Sequence, residues 1–444
     1  MKKSFVSVEH ILASDFPPVL RIFWNQTEVP EFKVANVLCV LTCLCAMSPR
    51  LRFVYFYDGK RKPHRLLIHC FVVAQSGDGK SFSDDVYNLT MAPVIERDRK
   101  EEAKELEWVE QKRMMSDSKD KPKEPVTVKI CLNKFTRNKI IKRAHMMIRK
   151  YGEPLTFMVF TNELSTLVER RGSFGDLRDI AKLAYDSGAL ISTDTNCDAS
   201  YNATVDICWC SILNTTPRIL NRYMDKDAIE SGNVNRNVYI PLGDLLGDDS
   251  PMFKELTDAD LELIAETQRK LMSETYTEED TLQPMHDVDM DWLFKDEKAW
   301  CDKQREEVNK TGSYAHNSFY KRSSTSAARL ATMVYHLWGE DPKKRAKVRS
   351  LYYFFADYIL AGQMKLFGKK YEDLVEVINY GDDDNTRSES IYDCLPKRFS
   401  RQQLNAKREE MKLVTETRKF IFKWLKKKWI VKVEGEEDLY EKLF

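Results

Sequence analysis

Short apolar runs separated by helical patterns fill the middle of this 444-residue chain. The runs at 66–73, 155–161 and 207–213 are almost entirely apolar, as is typical of strands buried on both faces of a parallel sheet. Between them, apolar residues recur every three or four positions, which is the helical period. This alternation predicts an α/β domain with a mostly parallel sheet over residues 63–245.

The segments on either side of this domain have helical patterns. Residues 1–62 form a predicted helical accessory region, in which the apolar run 34–47 is too short to span a bilayer and predicts a buried helix. Residues 246–381 repeat apolar positions at helical spacing and predict a helical domain. The acidic tract that begins at Gly381 has the composition of a linker.

Residues 390–444 predict a small separate module. A capped helix start near Ser400, a longer helix and a strand with a turn follow one another, and this order resembles a winged-helix domain. Such domains commonly bind DNA through a helix and the wing. Five lysines fit contacts with phosphates, namely Lys423, Lys426, Lys427, Lys428 and Lys432. A solvated basic face or a protein-docking module explains the same lysines equally well.

The overall charge and the cysteines narrow the class of protein. With 70 basic and 69 acidic residues the net charge is +1, so any contact with nucleic acid must come from local patches. The ten cysteines lack the paired spacing of a zinc site, and several lie in apolar runs, which favours reduced, buried thiols. The amino-terminal residues show no signal-peptide pattern. We therefore expect a cytoplasmic protein with no membrane partner.

The stretch 74–81, which reads AQSGDGKS, directly follows the first apolar run and predicts a phosphate-binding loop. In such a loop backbone N–H groups surround the phosphates, Lys80 reaches the β- and γ-phosphates, and the Ser81 hydroxyl binds Mg²⁺. Ala74 replaces the usual first glycine, and a glycine turn without function is the alternative. ATP and Mg²⁺ are the expected ligands. The predicted nucleotide-binding residues are Gly77, Asp78, Gly79, Lys80, Ser81 and Phe82.

The second apolar run ends just before a carboxylate. Glu163 follows it at the edge where parallel sheets place their sites, and it is the predicted catalytic residue that orients or deprotonates the attacking water. A helix-capping role for Glu163 is the alternative. Asn162 stands where a magnesium-shell aspartate is often found, and its uncharged amide predicts weaker Mg²⁺ binding and slower catalysis.

Polar residues after the third run complete the predicted site. Asn214 and Thr215 are expected to sense the γ-phosphate. Arg236, before a further short apolar run, is the predicted arginine finger that one subunit offers to its neighbour's nucleotide. Arg218 and Arg222 compete for that role, and a structural ion pair is the alternative for each arginine.

The order of these motifs resembles a helicase-type ATPase family that is often joined to primase domains in phages and mobile elements. The resemblance extends over residues 10–370, with the phosphate loop as its most specific motif. It implies a RecA-like ATPase core that forms a homo-oligomeric ring, with a hexamer possible. By position, Lys80 and Ser81 bind nucleotide and Mg²⁺, Glu163 is catalytic and Arg236 acts in trans. A primase is then an expected separate partner.

These observations lead to an ATP-dependent motor on single-stranded DNA, a ring helicase, as the expected function. Its pore loops are expected within residues 168–201, which contain Arg170, Arg171, Lys182 and Tyr185. Ala74 and Asn162 favour an alternative, an ATP-controlled DNA-binding initiator or assembly factor with little turnover. A structural protein with a degenerate nucleotide site is the third possibility.

Overall fold

The structure, a computed structural model, divides into two compact units, Met1–Lys369 and Lys370–Phe444. The described residues are 8–55, 62–115, 122–133, 136–167, 173–186, 189–193, 203–243, 251–380, 391–411, 417–426, 428–433, 435–436 and 438–443. The expected linker at 381–385 lies outside them.

The first unit is a mixed α/β structure. Its strands are β1 (Leu51–Phe53), β2 (His64–Arg65), β3 (His69–Val73), β4 (Cys131–Leu132), β5 (Thr156–Thr161), β6 (Ala189–Thr193), β7 (Ala203–Thr215), β8 (Val238–Pro241) and β9 (His286–Val288). Its main helices are α1 (Pro18–Asn25), α2 (Pro30–Met47), α3 (Phe82–Thr90), α4 (Ala92–Met114), α5 (Arg137–Tyr151), α6 (Ser173–Tyr185), α7 (Pro217–Tyr223), α8 (Lys226–Glu230), α9 (Asp258–Thr275), α10 (Phe294–Thr311), α11 (Tyr314–Leu337) and α12 (Arg345–Gln363).

Five parallel strands form the central sheet in the order β4-β5-β7-β3-β8. All five residues of β3 and all six of β5 are buried, which explains why these runs are apolar without alternation. The three apolar runs of the sequence lie in β3, β5 and β7, and the prediction of an α/β core with a parallel sheet is confirmed. One strand, β7, lies between β3 and β5.

Strand β7 is 13 residues long and belongs to two pairings. Its carboxyl-terminal part lies between the parallel strands β3 and β5, and its amino-terminal part pairs with β6 in antiparallel register, Ala189 opposite Ile207. A smaller sheet in the order β2-β1-β9 forms elsewhere in the unit.

Helix α2 packs against the central sheet, where it contacts β3, β5 and β7. Among the described residues it is the one helix long and apolar enough to cross a membrane, but 83% of it is buried inside the protein. It is therefore the core helix of a soluble domain, as the pattern at 34–47 predicts. Several of its cysteines are buried, and burial raises the pKa of Cys39 and Cys43, so both thiols stay protonated.

Buried polar contacts join the later helices to the sheet. Helix α12 contacts β8, and α11 contacts both α2 and the 3₁₀ turn Val234–Arg236 that precedes β8. Arg329 of α11 is 1% exposed and donates hydrogen bonds to the Leu67 carbonyl at 2.7 Å and to the Tyr185 carbonyl at 3.0 Å. The guanidinium also lies 4.0 Å from the centroid of the Tyr185 ring. This arginine ties α11 to the residues before β3 and to the end of α6.

The second unit contains helices α13 (Lys369–Tyr380), α14 (Arg401–Glu410) and α15 (Thr417–Lys426) and strands β10 (Arg398–Ser400), β11 (Ile430–Lys432) and β12 (Leu439–Lys442). The strands form an antiparallel sheet in the order β10-β12-β11. Trp424 is fully buried and contacts Phe399 and Phe420 in a separate small core. The predicted capped helix start is confirmed, because the Ser400 hydroxyl accepts from Gln403 N and the Gln403 side chain accepts from Ser400 N.

Candidate functional site

The phosphate-loop sequence connects the carboxyl end of β3 to the first turn of α3. Gly77 and Gly79 have φ angles of +93° and +71°, a region that side chains with a Cβ rarely adopt. A Cβ on Gly79 would also lie 3.3 Å from the Pro251 ring. Two glycines are therefore required where the loop turns to present its N–H groups at the amino end of a helix.

The Lys80 side chain folds back over this loop. Its ammonium donates a hydrogen bond to the Ala74 carbonyl at 2.9 Å and another to the Gln75 carbonyl. Burial lowers the pKa of Lys80, and the carboxylates of Glu163 and Asp78 act in the opposite direction. The Glu163 carboxylate is thus close enough to Lys80 to interact with it electrostatically.

A cavity of ≈ 450 Å³ opens over the loop. Lys80 and Ser81 line it from the loop and Glu163 lines it from the end of β5, so the structure brings these three predicted residues together. The other lining residues are Ser76, Gly77, Gly79, Phe82, Asp85, Pro251 and Phe253. Because β7 separates β3 from β5, the strands that lead to Lys80 and Glu163 are about 10 Å apart, two strand spacings.

Local hydrogen bonds hold the segment that carries Glu163. The Thr161 hydroxyl accepts from Glu163 N at 3.2 Å and donates to the Glu163 carbonyl at 2.9 Å. The Thr166 hydroxyl also donates to that carbonyl, at 2.8 Å. The half-buried Glu163 side chain therefore projects from a fixed turn at the edge of the sheet, next to the exposed Asn162.

Asn214 and Thr215 lie beneath the loop, and neither is among the described residues that line the cavity. The Asn214 side chain exchanges hydrogen bonds with Ser83 Oγ, accepting at 3.0 Å and donating at 2.7 Å. The Thr215 carbonyl accepts from Ala74 N at 3.2 Å. These contacts join the end of β7 to the loop and to α3, which is a positioning role. Direct sensing of the γ-phosphate stays a prediction.

Arg236 lies before β8, at the opposite edge of the sheet from the loop. It donates to the Gly232 carbonyl at 2.7 Å, pairs with Asp186 at 3.6 Å and has a side chain that is only 14% exposed. Burial lowers the pKa of Arg236, as does the neighbouring charge of Arg322, although Asp186 opposes both effects. Arg236 is thus held inside its own subunit.

The two competing arginines lie elsewhere. Arg218 and Arg222 are exposed on α7, which begins where β7 ends, on the same edge of the sheet as the phosphate loop. Of the three arginines, Arg218 and Arg222 are therefore the ones presented on the surface at that edge.

The expected pore segment 168–201 is described only in part. Arg170 and Arg171 fall outside the described residues, whereas Lys182 is half-buried on α6. Tyr185 is fully buried, hydrogen-bonded to Ser326 Oγ at 3.0 Å, and packed under Arg329. The expectation that Tyr185 belongs to a DNA-contacting loop is wrong, because its ring is part of the core.

An aromatic cluster beside the loop was not predicted from the sequence. The rings of Phe82 and Phe253 stack with centroids 5.8 Å apart and an angle of 14°, and Phe32 meets both edge-on. Phe253 and Phe32 are far apart in the sequence and lie in no recognisable motif. A Phe directly after the loop serine was the only available signal.

A second cluster, of histidines and glutamates, lies at another cavity. His336 on α11 interacts with Glu274 at 2.8 Å and with Glu340 at 2.9 Å, and His286 also contacts Glu340. The ligand atoms of His286, His336 and Glu340 lie within 4.8 Å of one another, a spacing that a metal ion would also accept. In the structure both ring nitrogens of His336 already have carboxylate partners.

This cluster predicts a pH dependence of stability. Burial acts to lower the pKa of His336, but the bonds to Glu274 and Glu340 outweigh it and the net shift is upward. The stability that this shift contributes is present below the unfolded histidine pKa and is lost as pH rises through the folded pKa. The pKa values of Glu274 and Glu340 are lowered, so their contribution is lost in acid.

We therefore expect His336→Gln to lower the melting temperature most at about pH 5 to 6, between the ordinary glutamate and histidine pKa values, and progressively less toward pH 9. Thermal melts across this range measure the difference. The exposed His10→Gln is the matched control and should show no such trend. A His336→Gln deficit that is constant or grows with pH contradicts the assignment.

The candidate site thus rests on one juxtaposition, in which a glycine loop, its lysine and a carboxylate from a strand two places away share one cavity. No protein-family model matches the chain. No curated protein sequence matches it either.

Proposed function

We propose that this chain is a P-loop ATPase with a RecA-like core that works as a ring-forming motor on single-stranded DNA. The observation that carries the proposal is the meeting of Lys80, Ser81 and Glu163 around one cavity at the carboxyl edge of a parallel sheet. Ligands of open α/β sheets bind at this edge. The winged-helix likeness of residues 390–444 and the helicase-type family are part of the same proposal.

The loop fits a nucleoside triphosphate. The loop backbone carries no Cβ at its two positive-φ glycines, and the N-terminus of α3 attracts anions. The Lys80 ammonium donates hydrogen bonds to the loop's own carbonyls at Ala74 and Gln75. Phosphate oxygens are stronger acceptors, so a bound triphosphate would replace these carbonyls as its partner. Ser81, exposed beside it, would hold Mg²⁺, which neutralises phosphate charge when bound.

We assign to Glu163 the role of orienting the attacking water. The lysine end of the loop and the glutamate follow strands about 10 Å apart, a separation that leaves room for a phosphoryl group and one water between them. A carboxylate there accepts a hydrogen bond from the water, and this bond directs the lone pair of the water oxygen toward the phosphorus. The Asn214 side chain accepts from Ser83 Oγ and contacts the Lys80 carbonyl, and it thereby fixes the position of Lys80 relative to Glu163.

A trans-acting arginine belongs to the ring that we propose. Arg236 is engaged with Gly232 and Asp186 and would have to give up these bonds to reach a neighbour. Arg218 is exposed at the loop edge and needs no such change. We therefore place Arg218 ahead of Arg236 for this role, in contrast to the order expected from the motif positions.

The test is ATP turnover by the full chain with and without single-stranded DNA. We expect stimulation by DNA and loss of turnover in Lys80→Ala. Arg218→Ala should also lose turnover and regain it when mixed with Glu163→Gln subunits, because some interfaces then combine an intact Glu163 from one subunit with an intact Arg218 from the other. Lys100→Ala, an exposed lysine on α4, is the matched control. Absence of turnover under all conditions, or turnover that survives Lys80→Ala, overturns the motor.

The internal bonds of Arg236 and the uncharged Asn162 favour one second candidate, an ATP-controlled DNA-binding initiator or assembly factor with little turnover. In that case ATP and Mg²⁺ raise the melting temperature, because a ligand that binds only the folded state stabilises it, while hydrolysis stays near background. Duplex binding that requires residues 391–444 then distinguishes this switch from the motor.

A further inference from the structure

We propose that the groove between α1, α2, α3 and residues 251–256 holds the base of the bound nucleotide, and that Asn36 selects a 6-aminopurine over a 6-oxopurine. This inference rests on the proposed nucleotide site and adds the identity of the base to it. The groove has a volume of ≈ 360 Å³ and is lined by Phe23, Gln26, Asn36, Phe82, Asp85, Val86, Asn88, Leu89, Phe253 and Leu256.

The groove is continuous with the phosphate-loop cavity. Phe82, Asp85 and Phe253 line both spaces. A nucleotide whose phosphates lie at the loop can therefore extend past these residues with its base in the groove. The volume matches one heterocyclic base with its sugar and is at the lower end of small-molecule pockets.

Aromatic rings form the entrance. The rings of Phe82 and Phe253 are nearly parallel, with an angle of 14° between their planes. The centroid of the Phe32 ring, which meets both edge-on, lies 5.5 Å from that of Phe82 and 5.9 Å from that of Phe253. Phe253 is only half-buried, so part of its ring is available to stack on a base. The segment that carries Phe253 is fixed to α1, because Lys254 N donates to the Gln26 carbonyl at 2.6 Å.

Asn36 provides the polar contact. It is fully buried in the otherwise apolar helix α2, and its amide nitrogen donates to the Phe23 carbonyl at 3.1 Å. A carbonyl only accepts, so this bond identifies the amide nitrogen as the atom that faces the Phe23 carbonyl and leaves the oxygen on the other side of the amide. The Asn36 Oδ1 atom has no hydrogen-bond partner among the described residues, which is costly for a buried acceptor.

That oxygen has almost no exposed surface, so a ligand amino group would reach and satisfy it once the side chains that cover it shift. Adenine carries an amino group at position 6, whereas guanine carries a carbonyl there, which would oppose the Asn36 Oδ1 atom as a second acceptor. A site built to pair with one substituent rejects a ligand that lacks it. The chemistry of Asn36 therefore favours ATP over GTP.

The experiment measures the affinities of Mg-ATP, Mg-GTP and inorganic triphosphate for the full chain by calorimetry. We expect ATP to bind about tenfold or more tightly than GTP, and Phe253→Ala to weaken ATP binding by a similar factor, the size of one lost stacking contact. Inorganic triphosphate has no base to stack, so Phe253→Ala should weaken its binding by less than it weakens ATP binding, although Phe253 also lines the phosphate-loop cavity. Met252→Ala, on the same segment and 85% exposed, is the matched control.

Asn36→Ala should bring the affinities for ATP and GTP to within about twofold of each other. If Asn36→Ala does not fold because Asn36 is buried, Phe253→Ala still tests the base site. Equal binding of ATP and GTP, or an unchanged ATP affinity in Phe253→Ala, overturns the base site. When triphosphate binding still depends on Lys80, only this inference fails, but when no triphosphate binds, the proposed ATPase fails with it.

Discussion

Glu163→Gln is expected to lower ATP turnover by about 10² to 10⁴-fold, the range that a positioned general base contributes. The amide keeps the size of the side chain and the backbone bonds to Thr161 and Thr166, because those bonds involve only main-chain atoms of residue 163. It removes the negative charge and the second acceptor that would orient the water. Nucleotide binding, which depends on the loop and Lys80, should change little.

Steady-state hydrolysis and calorimetric binding on the same preparation separate the two effects. Glu110→Gln, an exposed glutamate on α4 that does not line the cavity, is the matched control for charge removal. A Glu163→Gln variant that retains turnover within threefold of the wild type would exclude Glu163 as the base. A variant that no longer binds ATP would point instead to a structural role for the carboxylate beside Lys80.

Arg329→Leu is expected to destabilise the first unit by about 3 kcal/mol, because two buried backbone carbonyls, at Leu67 and Tyr185, lose their donor. Leucine also loses the contact of the guanidinium with the Tyr185 ring. It removes the buried charge together with the bonds, so no unpaired cation remains and the effect stays below that of a broken buried ion pair.

Urea unfolding of the full chain, followed by tryptophan fluorescence, measures this change. Arg322→Leu is the control on the same helix, since Arg322 is 34% exposed and pairs with Asp186 at 3.4 Å. A partly exposed pair of this kind contributes less than about 1 kcal/mol. Equal effects of the two substitutions would contradict the role assigned to Arg329.

The central sheet could be predicted because strands buried on both faces, such as β3, β5 and the later part of β7, consist of continuous apolar runs of sequence. The loop could be predicted because its chemistry requires glycines and a lysine at fixed spacing. The neighbouring strand β4 could not, since two residues, Cys131 and Leu132, are too few to show a period.

Contacts between distant segments could not be predicted from the sequence. Phe253 contacts Phe82 across nearly half of the first unit's sequence, and no local pattern encodes that contact. The burial of Tyr185 could not be predicted, because its partner Arg329 lies on a helix far along the chain. Asn36 is a single buried amide in an apolar run, and it is a visible exception to the surrounding pattern.

The position of α2 along the chain has a consequence for synthesis. Fifteen of its eighteen residues are buried in the finished protein, but the strand that occupies the centre of the sheet, β7, follows about 150 residues later. At ribosomal rates this interval lasts roughly 10 to 30 seconds. During that time the helix is apolar on every side and lacks its cover, so the nascent chain carries a binding site for chaperones that the folded protein no longer displays.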